Sequence, residues 1–356
     1  MVEPLDVLII GAGPAGLAAA CAAQEAGLRY VVVERCGPVQ SLVEHPQQIR
    51  YFSPADEMAI GGVPFPVAGG HRPTREDALA YYRAVAGARR LNLATWEEVV
   101  DVEREGGEGG LFQVRSVRRR AAEGETVERR ARFLLVCAGT FPNPRQLDVP
   151  GGDLPKVFSR LDDPTPFFGR DVLVVGGGNS AATAAMTLSA AGAKVTLAMH
   201  RPPQDFQSHL RPFIVRDLTI MAEERRLTLL TGLGIAQVTP TCVHLRPSAY
   251  GRDHGTARTW GETTPDPALD LPNDFVFALL GHTADKTLFD RLGVPLAEDG
   301  LPVYDEETAE TPVSGIYVAG ALSRANIILE SRRRAVEIVA RICERCGVSS
   351  APIVSA

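Results

Sequence analysis

Two segments of this chain repeat one plan: an apolar strand, a glycine cluster, an alanine-rich helix and a second apolar strand. The first segment spans residues 5–34 and the second spans residues 171–201. In such a unit the two strands pair in parallel, and the glycine turn lies at the carboxyl end of the first strand, where dinucleotides bind. Two copies this far apart predict two separate nucleotide-binding units in one chain.

The first glycine turn reads Gly11-Ala-Gly13-Pro-Ala-Gly16 between a strand and a helix. Gly11 permits the tight turn, Gly13 lets the backbone approach a pyrophosphate, and Gly16 allows close helix–strand packing. The second strand ends in Glu34, which lies 34 − 11 = 23 residues after the first glycine. A carboxylate there suits a free pair of ribose hydroxyls, so this unit predicts an FAD site. Its predicted contacts are Gly11, Gly13, Pro14, Ala15, Gly16, Glu34 and Arg35.

The second glycine turn reads Gly176-Gly-Gly178-Asn-Ser-Ala181, with alanine at the third glycine site. Its second strand ends in His200 and Arg201 rather than in an acid. A carboxylate would repel a 2′-phosphate, whereas a guanidinium can bind it through two parallel hydrogen bonds. The turn therefore favours NADPH, while NADH stays open if Arg201 only stacks on an adenine or lies in solvent. The predicted contacts are Gly176, Gly178, Asn179, Ser180, Ala181, His200, Arg201 and, as a weaker second phosphate ligand, Arg211.

These units predict an α/β fold with two Rossmann-like dinucleotide-binding domains. At 356 residues the chain is too long for one ordinary core and fits two domains. Prolines cluster between Pro142 and Pro166, just before the second unit, as in a linker. The run from Gly315 to Gly320 is expected to return the chain to the first domain. We predict a discontinuous FAD-binding domain of residues 1–150 and 286–356, and an inserted NAD(P)H-binding domain of residues 151–285.

Helical and strand patterns fill the rest of the chain. Between the two units they predict a capped helix over residues 74–88 and strands over residues 97–103, 111–118, 126–130 and 133–137. After the second unit they predict strands over residues 227–230, 242–246 and 274–280, a polar surface loop over residues 247–272 and a last helix over residues 326–346.

Charge and hydropathy exclude some functions. A net charge of −6 and an isoelectric point near 5.7 leave no basic footprint for nucleic acid. The longest apolar runs are far shorter than the ~18 residues that a membrane span needs. No basic, apolar leader is visible at the amino terminus, so we expect a cytoplasmic protein whose cysteines are mostly thiols.

One basic run, from Arg115 to Arg132, alternates with Glu123, Glu125 and Glu128. This pattern is typical of a solvated hairpin, and a docking patch for an acidic partner is the alternative.

Several segments resemble a known family. The run from Phe133 to Pro144 resembles the strand and turn that return the chain from the FAD domain in two-dinucleotide flavoprotein reductases. With the run from Gly315 to Gly320, it resembles the thioredoxin-reductase type of architecture. The chain is more similar to the bacillithiol-disulfide reductase branch, on segments that agree in order and spacing over nearly the whole chain: Arg50-Tyr-Phe-Ser-Pro, Arg72-Pro-Thr-Arg75, Tyr81-Tyr-Arg83, Val149-Pro-Gly-Gly-Asp-Leu-Pro155, Asp274-Phe-Val-Phe-Ala278 and Pro302-Val-Tyr-Asp305.

The resemblance implies hydride transfer from NADPH to FAD, delivery of electrons to a low-molecular-weight disulfide, and a homodimer. It also implies further FAD contacts at Ala138, Gly139, Gly320 and Ala321. Tyr51 and Phe52 are expected either to stack near the isoalloxazine or simply to pack in a loop. The start of the last helix, near Ile327, would stabilise negative charge on the flavin through its dipole.

Two departures from this pattern concern the acceptor and the flavin. The branch typically has a cysteine in the first glycine turn, where this chain has Ala15, and the wider superfamily usually continues Gly-Asp where this chain has Gly320 and Ala321. The Cys-x-x-Cys of thioredoxin reductases is also missing, because no cysteine occurs between Cys137 and Cys242.

The pair Cys343 and Cys346 remains, either as a redox or metal pair or as plain thiols at a helix end. Three functions therefore stay open: an NADPH-dependent reductase of a small disulfide, a reductase of ferredoxin or flavodoxin, and a non-catalytic flavin redox sensor.

Overall fold

The structure is a computed structural model, and it describes residues 3–67, 71–107, 109–120, 123–201, 210–248, 269–325 and 327–348. The chain divides into two compact units. Unit 1 comprises Met1–Asn143 and Ala284–Ala356, and unit 2 comprises Pro144–Thr283. The sequence places these divisions at residues 150/151 and 285/286. The assignment of one nucleotide to each unit stays a prediction at this point.

In chain order the elements are β1 (Leu5–Ile10), α1 (Pro14–Glu25), β2 (Tyr30–Glu34), α2 (Gln40–Val43), α3 (Ala55–Met58), α4 (Arg75–Ala88), β3 (Leu93–Thr95), β4 (Glu97–Arg104), β5 (Phe112–Arg120), β6 (Glu123–Val136), β7 (Val157–Phe158), β8 (Asp171–Val175), α5 (Asn179–Ala190), β9 (Lys194–Met199), α6 (Pro212–Glu223), β10 (Thr228–Thr231), β11 (Leu233–Val238), β12 (Cys242–Pro247), β13 (Leu269–Pro272), β14 (Phe275–Ala278), α7 (Lys286–Leu292), β15 (Ile316–Val318) and α8 (Ile328–Cys346). Short 3₁₀ turns lie at Thr165–Phe167 and Gly320–Ser323.

Unit 1 is built on one mixed sheet, in which the described strands follow the order β3-β2-β1-β6-β5-β4 and β15 also pairs with β6. The pairs β3–β2, β2–β1, β1–β6 and β6–β15 are parallel, whereas β4, β5 and β6 are antiparallel. This parallel arrangement brings the carboxyl ends of β1, β2, β6 and β15 to the same edge of the sheet, where the first glycine turn begins.

The prediction of separate strands over residues 126–130 and 133–137 was wrong. Both belong to β6, which runs without interruption over Glu123–Val136. The first part of β6 pairs with β5, and Ala131 begins the part that pairs with β1. Since neither glycine nor proline separates the two segments, alternation simply continues through Ala131 and Phe133.

Both faces of the central strand β1 are buried, which explains its continuous apolar sequence. Val7 and Ile9 pack in a core with residues of α1, α4 and α8, while Leu8 and Ile10 pack on the other face with residues of α7.

The predicted helix over residues 74–88 is confirmed as α4. Its Thr74 forms a capping box with Asp77, in which each side chain bonds to the backbone amide of the other residue.

Unit 2 contains a parallel sheet in which the described strands follow the order β10-β9-β8-β14-β7. A second sheet, β11-β12-β13, is antiparallel. The polar loop predicted over residues 247–272 is wrong at its carboxyl end, because Leu269–Pro272 pairs with β12 as a strand. The middle of that prediction, residues 249–268, lies outside the described residues.

A membrane span requires a long and predominantly apolar helix. None of the described helices is both long enough and apolar enough to cross a bilayer.

Candidate functional site

The first glycine turn has no room for side chains at two of its three glycines. Gly11 adopts a φ of +105°, and a Cβ there would lie 2.6 Å from the carbonyl oxygen of Cys137. A Cβ at Gly16 would lie 2.0 Å from the carbonyl oxygen of Gly11, because α1 packs directly on the turn. At Gly13, by contrast, the nearest atom would be the Ser41 hydroxyl at 3.9 Å. Gly11 and Gly16 therefore shape the turn, and Gly13 leaves backbone open to a ligand.

Helix α1 starts at this open backbone. Gly13 is its N-cap and Pro14 its first residue. The first turn of a helix leaves amides without intrahelical partners, and its dipole adds positive potential at the same place. Gly13, Pro14 and Ala15 line a cleft in unit 1. The start of α1 thus offers that cleft a binding site for a pyrophosphate.

Glu34 is held in a fixed orientation at the end of β2. The residue is buried, its Oε2 accepts a hydrogen bond from the Ala12 amide at 2.8 Å, and its Oε1 accepts one from the Cys36 amide at 2.9 Å. Each carboxylate oxygen can accept a second hydrogen bond. Because Glu34 also lines the cleft, its carboxylate can receive ribose hydroxyls without reorganising.

Most of the predicted FAD contacts lie around this one cleft. Its lining includes Gly13, Pro14, Ala15, Glu34, Arg35, Tyr51, Phe52, Ala138, Gly139, Gly320, Ala321 and Ile327. Gly11 and Gly16 are absent from the lining, and they pack instead against the carbonyl oxygens of Cys137 and Gly11. Gly320, with a φ of +77°, lies against the first turn, since a Cβ on it would be 3.3 Å from the Cβ of Ala15. The structure thus brings segments from both ends of unit 1 to one site.

Sequence reasoning missed an aromatic wall of the cleft. His45 and Phe141 line the cleft beside Tyr51. The rings of His45 and Phe141 meet edge to face, with their centroids 4.5 Å apart. The Tyr51 hydroxyl lies 3.1 Å from His45 Nδ1, and burial raises the pKa of Tyr51. Tyr51 and Phe52 both line the cleft. This position is compatible with both predicted roles, stacking on a flavin and packing in a loop.

The start of α8 also faces the cleft. Ile327 caps this 19-residue helix, and Ile327, Ile328 and Ser331 contribute to the cleft lining. The positive end of the helix dipole therefore points at the cleft and can stabilise negative charge there.

The second glycine turn repeats the first in unit 2. Gly176 has a φ of +147°, and a Cβ there would lie 2.3 Å from the carbonyl oxygen of Leu279 and 2.9 Å from the Cβ of Ala181. Gly178 is the N-cap of α5, so Asn179, Ser180 and Ala181 form the first turn of that helix. The predicted residues of this turn thus lie together at a helix start that can bind an anion.

Arg201 lies over this turn. A Cβ at Gly177 would be 3.4 Å from Arg201 Nε and 3.8 Å from His200 Cε1. The start of α6 is tied to the same place, because the Arg211 amide donates to Asn179 Oδ1 at 2.9 Å. The structure therefore brings Arg201 and the Arg211 backbone to the start of α5, where a guanidinium can contact a 2′-phosphate.

The cysteine at the cleft and the two at the end of α8 offer little thiolate to a redox reaction. All six are free. Burial raises the pKa of Cys137, at the cleft, to about 12, and it also raises the pKa values of Cys343 and Cys346. Cys343 lies 343 − 328 = 15 residues into α8, about 22 Å along the helix from the cleft. These features favour plain helix-end thiols over a redox pair.

The basic run forms the β5–β6 hairpin, and those of its arginines whose side chains the structure describes are paired with acids. Arg118 and Arg129 bind the fully buried carboxylate of Glu97, and further pairs join Arg115 to Asp101, Arg119 to Glu98 and Arg130 to Glu105. Burial alone would raise the pKa of Glu97, but hydrogen bonds from Arg129 and Ser116 outweigh it and lower that pKa. This pairing favours a structural hairpin over a docking patch for an acidic partner.

The chain is similar to known flavoprotein reductases over nearly its whole length. The family model described as pyridine nucleotide-disulphide oxidoreductase matches residues 8–320. Bacilliredoxin reductase Bdr of Bacillus subtilis is 29% identical over 344 residues, covering 95% of this chain and 97% of the relative. The solved bacillithiol disulfide reductase Bdr of Bacillus cereus superposes with a TM-score of 0.83 at 29% identity, covering 96% of this chain and all of that one. A ferredoxin–NADP reductase of Ignicoccus hospitalis is 26% identical over 90% of each chain.

Proposed function

This chain belongs to the pyridine nucleotide-disulphide oxidoreductase family, and from that premise we propose that it transfers hydride from NADPH to FAD and electrons onward to a low-molecular-weight disulfide such as bacillithiol disulfide. The chain is an oxidoreductase, and its cofactors are FAD and NADPH. Two whole-length relatives of the bacillithiol system support the disulfide as acceptor.

One observation carries the assignment of the nucleotides: β2 ends in the acid Glu34, whereas β9 is followed two residues after its end by the base Arg201. Glu34 lies at the cleft of unit 1, and Arg201 lies over the glycine turn of unit 2. A fixed carboxylate accepts hydrogen bonds from the hydroxyls of a ribose and repels a phosphate on the 2′-hydroxyl. A guanidinium attracts that 2′-phosphate. Unit 1 therefore suits FAD, and unit 2 suits NADPH.

The chain's own residues bind and orient rather than react. FAD, when bound, supplies the chemistry of a hydride acceptor and an electron donor. The amides at the start of α1 would hold its pyrophosphate, and Glu34 would hold a ribose. The start of α8, at Ile327, places positive potential beside the cleft, and the rings of Tyr51, His45 and Phe141 give it an apolar side.

Among the described residues that line the cleft, the only thiol is that of Cys137, which is buried and protonated at neutral pH. Ala15 stands at the start of α1, where a thiol would face the cleft. We therefore infer that the acceptor is reduced without a relay through a cysteine of the cleft.

A second candidate function is reduction of ferredoxin or flavodoxin. It is favoured by the whole-length similarity to a ferredoxin–NADP reductase, together with the lack of a reactive thiol in the described lining of the cleft. The paired arginines of the β5–β6 hairpin do not support docking at that surface.

The two candidates predict different acceptors. The protein is reduced anaerobically with NADPH and mixed in turn with bacillithiol disulfide, oxidised thioredoxin, ferredoxin and flavodoxin, while flavin absorbance is followed. We expect fast reoxidation by bacillithiol disulfide and not by the three proteins. Reoxidation by ferredoxin or flavodoxin alone would support the second candidate and reject the first.

Ala15→Cys is expected to increase the rate of disulfide reduction severalfold. The new thiol would lie in the first turn of α1, where the helix dipole lowers a thiol pKa and favours the reactive thiolate. The measurement is NADPH oxidation at saturating bacillithiol disulfide. Ala15→Ser, which has nearly the same size without thiol chemistry, is the matched control and should leave the rate unchanged. Equal rates in the two variants would contradict the expectation that a thiol at this position can take part in disulfide reduction.

The location and the assembly of the protein are inferred from its cysteines and its family. Six free cysteines fit a reducing compartment, and we infer a cytoplasmic location. A homodimer is inferred from the family resemblance, and light scattering of the purified protein checks it.

A further inference from the structure

Three side chains of different chemistry converge on the second sheet of unit 2. Cys242 and His244 are alternate residues of β12, so they project from the same face of the strand. Asp270 on β13 is the direct partner of His244 in the antiparallel register. His244 Nδ1 and Asp270 Oδ1 are 2.6 Å apart, and the ligand atoms of all three residues lie within 4.8 Å of one another.

We propose that Cys242, His244 and Asp270 bind a divalent cation of the zinc class. Thiolate, imidazole and carboxylate together are the ligands of Zn²⁺, and three protein ligands leave a fourth position for water or another group. The hard cations Ca²⁺ and Mg²⁺ prefer all-oxygen sites and do not suit this set. None of the three residues belongs to either glycine turn. The proposed metal site therefore does not depend on the proposed function.

The charges around the cluster are compatible with a cation. Lys156 lies close enough to Cys242 for the two to interact electrostatically. Its ammonium donates to the carbonyl oxygens of Pro240 and Asn273 at 3.2 and 3.0 Å and to Asn273 Oδ1 at 3.1 Å, so it is directed at those oxygens. A Cys242 thiolate that forms on metal binding, together with the Asp270 carboxylate, would offset the charge of a divalent cation.

The place of the cluster indicates what a bound metal would do. Its ligands come from two paired strands, and 270 − 244 = 26 positions separate His244 from Asp270. A metal bridge that closes a long connection restricts the unfolded chain and stabilises the strand pair. The competing interpretation is a plain hydrogen bond between His244 and Asp270, without a metal. In that interpretation Cys242 has no role in the cluster.

Metal content separates these interpretations. The FAD-loaded protein is stripped with a chelator, dialysed against Zn²⁺ and analysed by mass spectrometry, and its affinity is measured by competition with a chromophoric chelator. We expect one zinc per chain. Cys242→Ser and His244→Ala should each weaken binding by at least about 10- to 100-fold, since even loss of an outer-shell partner has that effect. Cys346→Ser, which removes a comparably half-buried thiol from unit 1, is the matched control.

A second measurement guards against variants that fold poorly. Zn²⁺ should slow the alkylation of Cys242 in the wild-type protein, as measured on its peptide, and should not slow it in His244→Ala. Flavin content and NADPH turnover should stay at wild-type values in both variants. Substoichiometric zinc, or equal affinity in the wild type and both variants, would overturn the proposal and leave the proposed function untouched.

Discussion

Replacing Gly16 by alanine is expected to yield a protein that retains no FAD. The added Cβ would lie 2.0 Å from the Gly11 carbonyl oxygen, a distance at which the backbone of the turn must move. The cost exceeds the ~1–3 kcal/mol of ordinary overpacking, because the obstacle is main chain rather than a flexible side chain. Moving the turn displaces Gly13 and the start of α1 from the cleft. The measurement is the ratio of flavin to protein absorbance after purification.

Gly87→Ala is the matched control for this change. Gly87 lies in α4, and a Cβ there would meet no atom within 4 Å. Alanine at an open helical position stabilises by about 0.5–1 kcal/mol, so this variant should keep its FAD and melt at an equal or higher temperature. NADPH titration of the Gly16 variant by calorimetry shows whether unit 2 is intact. Full flavin content in Gly16→Ala would contradict the geometry of the turn.

Arg201→Ala is expected to weaken NADPH binding by about 1.5–3 kcal/mol, the typical worth of hydrogen bonds to a charged group, or about 10- to 150-fold. The side chain lies over Gly177, beside the helix start that would bind the pyrophosphate. NADH has no 2′-phosphate, so its binding should change little. The measurement is KM for each nucleotide with a saturating artificial acceptor.

Arg216→Ala is the control for general loss of positive charge in unit 2. Arg216 is exposed and pairs with the adjacent Asp217, and its removal should leave both KM values unchanged. If Arg201→Ala affects NADPH and NADH equally, or neither, the 2′-phosphate is bound elsewhere and the preference for NADPH loses its structural basis.

The glycine turns could be predicted because their residues are local in sequence and their geometry permits few alternatives. A strand, Gly11, Gly16 and an acid at the next strand end specify one arrangement. The aromatic wall could not be predicted in the same way. His45 reaches the cleft through a loop that Arg75 holds by donating to the carbonyl oxygens of Val43 and His45, and such tertiary contacts leave no periodic pattern.

The same limit applies in unit 2 and in the β6 region. The spacing of Cys242 and His244 is visible in the sequence, but only the strand register brings Asp270 beside them. The continuity of β6 was missed because polar and apolar halves of one strand resemble two strands. Its composition changes where its partner changes from β5 to β1.

The assignment of FAD to unit 1 and NADPH to unit 2 is tested most directly by rapid anaerobic mixing. The purified yellow protein is mixed with increasing NADPH or NADH, and the loss of flavin absorbance is followed. We predict that NADPH bleaches the flavin fully, and that NADH needs a concentration higher by about the 10- to 150-fold factor expected for the phosphate contact. A protein that carries no FAD, or that both nucleotides reduce equally at equal concentrations, would contradict the account.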